Sequence, residues 1–211
     1  MNLLLSMYIP EEFKIEDKET IINFIKKHSF GILVTHGQEG LEATHIPFIL
    51  KEQENNIVLW GHLAKNNMQI EKSDKEGIII FNGPDSYISP EWYNEEEAVP
   101  TWDYMTVHLK GSIRLCNYEE TMENLPRLLK FHEINSNIPE KLNLPFYSGM
   151  VRAIKGFYFY ADGIEAAFKL GQNHSKEDQK GVISALENQN GECIEEMIET
   201  MKKNLEKDTF K

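Results

Sequence analysis

Apolar and polar positions follow two different periods along this chain. Ile21, Ile22, Phe24 and Ile25 recur at helical spacing behind Asp17, and Lys26, Lys27 and His28 follow where a helix dipole is negative, so the pattern predicts an amphipathic helix. "FGILVTHG", "LEATHIPFIL" and "NIVLWGH" come next, rich in β-formers. "GQEG" and "KEQENN" between them supply turn residues at hairpin-like spacing, which predicts an antiparallel meander. "AKNNMQIEKSD" then predicts a short helix starting near Ala64, and "GIIIFNG" a strand buried on both faces or lying in a barrel wall. Residues 83–102, "GPDSYISPEWYNEEEAVPTW", carry three prolines and four aromatics, too Pro-rich for a regular element and too aromatic for a solvated linker.

"DYMTVHLKGSIRL" returns to strand character, and "EETMENLPRLLKFHEIN" reads as a helix with Pro126 at its start or at a kink. "IKGFYFYADGIEAAFKL" gives another β-rich pair. Ser175 and Asp178 form an S-x-x-D cap before "GVISALEN", and Ile194, Met197, Ile198 and Met201 stand at i, i+3, i+4 and i+7, so two helices close the chain. Six or so short antiparallel strands with intervening helices suit a small closed barrel better than a parallel sheet, because strict strand and helix alternation is missing.

Composition narrows the function. A chain of 211 residues holds one good-sized core, so a single domain is the default. No stretch approaches the roughly 18 apolar residues that a membrane helix needs, and "MNLLLSM" lacks the basic start of an export signal. Cys116 and Cys193 lie far apart with no CxxC partner, which points to a reducing, cytoplasmic setting. The net charge of -12 repels a polyanion, and no Lys or Arg falls between Lys75 and Lys110, so direct DNA binding is not expected.

Four stretches could carry chemistry. In "LWGHLAKNN" a helix starting near Ala64 would present free N–H groups beside His62, Lys65 and Asn66, which suits a phosphate monoester or else marks only an exposed helix start. "LEATHIPFIL" puts Thr44 and His45 in an apolar strand ahead of Pro47, which marks a sheet edge or a ligand-lined backbone; His45 also reads as a core histidine. Tyr87, Trp92, Tyr93, Trp102 and Tyr104 could cover a planar ligand, pack on their own barrel, or meet a partner. "FKLGQNHSKED" sets Lys169, Gln172, Asn173 and His174 ahead of a second helix start. Nucleotide-loop, zincin and nucleophile-elbow signatures are missing, and no histidine pairing at metal-ligand spacing is recognised, so no metal is expected.

"MYIPEEF" from Met7, "ATHIPF", "GHLAKNN", "FNGPDSYISPEWY", "VPTW" with Tyr104, "VHLKG" and "FKLGQN", in this order over about residues 7 to 200, resemble the PaiB-type FMN-binding negative transcriptional regulators. The resemblance implies a mainly antiparallel β fold with helices, a split β-barrel like those of flavin reductases and pyridoxamine phosphate oxidases, with C-terminal helices. It implies a homodimer with FMN near the subunit interface, a functional start at Met7, an extension without function at 1–6, and one domain over 7–211. By position it implies FMN phosphate contacts from His62, Lys65 and Asn66, and ring contacts from Thr44, His45 and Pro47. Thr106 and His108 would lie on a neighbouring cofactor strand, with Trp102, Lys169, Gln172 and Asn173 coming from the other subunit. The chain departs from the family at Gly171, where Ser is commoner, at His174, where Arg or Lys is commoner, and at Asp103, where Asn is commoner.

The expected function is an FMN-binding homodimeric negative transcriptional regulator that acts through a ligand, a redox signal or a partner. The alternatives are a flavin-dependent oxidoreductase and a haem-binding split-barrel protein. No general acid or base is dictated by the sequence.

Overall fold

In the computed structural model, residues 7–37, 40–51, 56–95, 97–189 and 192–207 are described. The extension expected at 1–6, parts of two predicted turns and the Cys193 side chain lie outside them. Helix α1 (Lys18–Lys27) starts where the pattern placed it, with the Asp17 carboxylate accepting from Thr20 N at 2.8 Å. The strands are β1 (Phe30–Gly37), β2 (Gly40–Pro47), β3 (Ile49–Lys51), β4 (Val58–Ala64), β5 (Ser73–Ile88), β6 (Thr101–Leu115) and β7 (Ile154–Lys169). Between them stand α2 (Gln69–Lys72), α3 (Tyr118–His132), α4 (Ile138–Lys141) and α5 (Pro145–Val151), and α6 (Lys176–Glu187) and α7 (Glu192–Lys207) close the chain.

The strands form one sheet in the order β2-β1-β5-β6-β7-β4-β3. β1 pairs with β2, and β3 with β4, as antiparallel hairpins, but the expected meander is broken between them. β2 and β3 end up at opposite ends of the strand order although only Phe48 separates them in the chain. Phe48, at that junction, is 1% exposed: its ring meets Phe81 and Phe157 edge-on at 5.7 and 6.1 Å, and burying a side chain of that size favours folding by about 1.5–3 kcal/mol.

Backbone contacts divide the chain into two compact units. Residues 25–81 and 108–164 make one, and the segments up to 24, 82–107 and from 165 onward make the other. In the first, Leu33, Ile46, Phe48, Leu59, Ile79, Phe81, Phe157 and Phe159 fill the core. Gly61 belongs to this core, since a Cβ there would stand 3.0 Å from the Phe48 ring and 3.2 Å from Ile46, so it ends no strand. On the opposite face of β4, Val58 and Trp60 pack with Ile49, Leu128 and Tyr158 under α3. Pro126 lies inside α3, not at its start, and an Asn117–Glu120 capping box begins the helix.

In the second unit α6 and α7 bury Val182, Ile183, Leu186, Met197 and Met201, and Phe24 packs on Phe168 at 5.1 Å. The irregular stretch expected at 83–102 is shorter than the prolines suggested, because β5 runs on to Ile88. Pro84 lies beyond Ile80, the last β5 residue in the pairing with β1, so that pairing needs no N–H from it. The remaining loop is anchored by Asp178 of α6, whose Oδ1 accepts from Asn94 N at 2.6 Å and Glu95 N at 3.2 Å.

Candidate functional site

The segment after Gly61 stays extended to Ala64 and then turns tightly, with Asn67 N donating to Ala64 O at 2.9 Å. No helix starts near Ala64: α2 begins only at Gln69 and has four residues, so the expected row of free helix amides is not there. The turn is tied to the start of β7 by Lys65 N, which donates to Ala153 O at 2.8 Å. Beside it opens a pocket of about 310 Å³ lined by Ala64, Lys65, Asn66, Gly149, Arg152 and Ala153. Every polar side chain in that lining is a hydrogen-bond donor, two of them cationic, and among the described residues no carboxylate pairs with Lys65 or Arg152. An added Cβ at Gly149 would meet no atom within 4 Å. The donor set and the open floor fit a phosphate monoester.

His62 does not share that lining. It sits on the Trp60 side of β4, with the two rings 5.7 Å apart, and its buried Nδ1 has no hydrogen-bond partner; burial holds its pKa below the usual imidazole value. Thr44 is committed elsewhere: its hydroxyl donates to Gln69 Oε1 at 2.6 Å and accepts from Asn67 Nδ2 at 3.1 Å. Gln69 in turn donates to Leu33 O and Glu42 O, so the network clamps the turn onto β1 and β2. His45 is exposed and stacks on Phe30 at 6.0 Å, and Pro47 is half-buried at the end of β2.

The register places Phe30, Ile32, Val34, Leu41, Ile78 and Ile80 on one face of β2-β1-β5. This face is thinly covered: Phe30 and Leu41 are 63% and 74% exposed, and the four others are half-buried. His108 is half-buried on β6, and Thr106, in the other unit, donates to Asn82 Oδ1 at 3.3 Å.

Lys169 is the last residue of β7, and its ammonium reaches Thr101 Oγ1 and Trp102 O at 2.6 Å and Asp103 Oδ1 at 3.2 Å. Those contacts use all three of its donors. Asp103 is 1% exposed; burial pushes its carboxyl above the usual range, and Lys169 pulls it back. Gly171, one of the departures, has φ +73°, a conformation in which the commoner Ser would be strained. Gln172 folds back on the backbone, accepting from Leu170 N and donating to Phe168 O, both at 2.6 Å. Asn173 is exposed, and Trp102, 56% exposed, meets Tyr87 edge-on at 6.3 Å. Glu95, His174 and Asp178 bring ligating atoms within 4.8 Å, a grouping the sequence reading missed although His174 and Asp178 are four residues apart. Asp178 already uses both oxygens, one on the Asn94 and Glu95 amides and one on the Ser175 hydroxyl.

The sequence carries a signal for Arg152 in the spacing of its acidic residues. Arg114 pairs with Glu120 and Arg127 with Glu123, whereas Arg152 stands in the stretch 141–161, which contains no Asp or Glu.

The model of the family described as "Putative FMN-binding domain" matches residues 7–162. The chain belongs to this FMN-binding family. The "Protease synthase and sporulation protein PAI 2" of Bacillus subtilis (strain 168) is 34% identical over 95% of this chain and 99% of its own length. Among solved structures, the flavocytochrome Anf3 from Azotobacter vinelandii matches with a TM-score of 0.60 at 12% identity, covering 80% of this chain and 75% of its own. The FAD and heme binding protein from Mycobacterium smegmatis matches at 0.56 and 11%, covering 78% of each. These likenesses concern the fold, a split β-barrel with C-terminal helices. The family's cofactor is FMN, and the Lys65 pocket fits the phosphate end of such a molecule.

Proposed function

We propose that this chain is an FMN-binding homodimer that acts as a negative transcriptional regulator of the PaiB kind, in the cytoplasm, through a ligand, a redox signal or a partner protein. The observation that carries the cofactor reading is the Lys65 pocket, an all-donor lining with no carboxylate partner in a chain of the FMN-binding family. Lys65 and Asn66 hold the phosphate, and the flavin, once bound, supplies electron-transfer chemistry of its own. The protein's part is to bind and orient it. His62 is not in the lining of this pocket and sits beside Trp60.

The dimer reading rests on the face of β2-β1-β5. A chain of net charge -12 repels its own copy, and Phe30, Ile32, Val34, Leu41, Ile78 and Ile80 offer a patch of uncharged side chains where two copies can approach. A second copy of this chain is therefore the occupant we assign to it. Sedimentation should give a dimer, and Val34→Glu, which puts a like charge against its symmetry mate, should give a monomer; a monomeric wild type removes this reading.

The charge that excludes nucleic acid makes operator contact by the pure protein unexpected, and repression then passes through something else. Titration of the purified protein with FMN, followed by flavin absorbance, tests the cofactor. Binding is expected; sustained NAD(P)H oxidation in the presence of FMN would instead make the chain an oxidoreductase, and a tight, sequence-specific gel shift would restore direct DNA binding.

A further inference from the structure

We infer that Arg152 is the second cation of a two-pronged phosphate clamp, facing Lys65 across the pocket and selecting the phosphorylated flavin over riboflavin. The inference rests on the FMN reading of this pocket and adds a residue that reading did not contain. Acidic side chains outnumber basic ones by 34 to 22 in this chain, so a guanidinium has carboxylates to pair with. The other two arginines conform: Arg114 is bound to Glu120 at 2.8 Å, and Arg127 to Glu123 at 3.5 Å. Among the described residues the Arg152 side chain has no ion pair, and its guanidinium carbon lies over the face of Tyr118, 5.9 Å from the ring centre. A cation–π contact of this kind steadies the side chain without neutralising its charge.

Arg152 follows α5 directly, at the end where a helix carries partial negative charge, so local electrostatics favour a cation there. Ala153, next in sequence, accepts the Lys65 amide, so the backbone bond that shapes the turn also fixes the spacing of the two cations. Gly149, one helical turn before Arg152 on the i, i+3 spacing, leaves the floor between them free of side chain. A guanidinium fork gives two parallel donors to a phosphate, an ammonium adds a point charge, and the Asn66 amide adds a neutral donor. A dianionic monoester uses all three. Riboflavin, which ends in a hydroxyl, uses none of the charge.

The test is a set of flavin-fluorescence titrations on the full chain with FMN, riboflavin and inorganic phosphate as competitor, using wild type, Arg152→Gln, Arg152→Lys and Lys65→Ala. Thermal melts without ligand show whether each variant folds, and glutamine keeps the packing on Tyr118 in reach. Arg152→Gln is expected to weaken FMN about tenfold to a hundredfold while riboflavin binding stays put, with Arg152→Lys recovering part of the loss. Inorganic phosphate should compete with FMN in wild type and lose that ability in Arg152→Gln. If wild type prefers FMN and Arg152→Gln keeps the preference within about twofold, the clamp is wrong and the FMN reading stands. Riboflavin falling in parallel with FMN would also overturn the clamp, because Arg152 would then act on the shape of the site and not on the phosphate. A wild type that takes up neither flavin removes the FMN reading, and the clamp with it.

Discussion

Lys65 and Lys169 both stand at the end of a strand, and both lie in amide-rich stretches that read alike as anion sites, yet their surroundings are opposite. Lys169 is enclosed: its ammonium is divided among a hydroxyl, a carbonyl and the buried carboxylate of Asp103. Lys65 is exposed, has no acid partner among the described residues, and shares a pocket with Arg152. One lysine has its counter-ion built into the chain, and the other has none among the described residues. A basic residue therefore marks a ligand site only after its carboxylates have been counted.

Exchanging the roles of the two lysines by mutation should break the symmetry of that comparison. Lys169→Met leaves Asp103 buried without its cation and is expected to cost about 3–5 kcal/mol of unfolding free energy in urea, while any preference for FMN over riboflavin persists in the folded fraction. The double variant Lys169→Met with Asp103→Asn should recover much of the loss. Lys65→Ala should do the reverse, weakening FMN about tenfold or more and shifting the unfolding free energy of the ligand-free protein by less than about 0.5 kcal/mol.

Acidity sharpens the contrast. Asp103 has a folded pKa above its ordinary value of 3.8, so the folded chain holds this proton more tightly than the unfolded one. Stability linked to it is complete below that value and is lost as the pH rises through the folded pKa. Urea denaturation from pH 4 upward should show wild type losing stability with pH relative to Asp103→Asn, and Lys65→Ala should follow the wild-type profile. The smallest expected effect is at Tyr93, whose phenol burial pushes up to about 12, with Asp103 adding to the shift. Its late ionisation, read by absorbance, should vanish in Tyr93→Phe and move to lower pH in Asp103→Asn.

Local chemistry made much of the fold legible. Asp17 ahead of α1, and Ser175 ahead of α6 bonded to Asp178 in its first turn, satisfy backbone groups within a few residues, and the structure keeps both caps. The strand order is not local: β1 lies beside β5, and β4 beside β7, for reasons that rest on Phe48 meeting rings from distant parts of the chain. Gly61, inside the predicted strand "NIVLWGH", lets the Phe48 ring approach, a long-range contact that the local pattern does not show. The lining of the candidate pocket was legible in halves. "GHLAKNN" announced Lys65 and Asn66, but nothing within that stretch names Arg152, which reaches the pocket through the backbone bond between Lys65 and Ala153. The lysine in "FKLGQN" was equally visible; what hid its role was Asp103, far away in sequence.

That backbone bond also orders events during synthesis. A ribosome makes Lys65 long before Arg152 and Ala153, so a nascent or prematurely terminated chain has Lys65 and no pocket wall opposite it. A ligand that needs both walls can favour only the finished chain, by mass action.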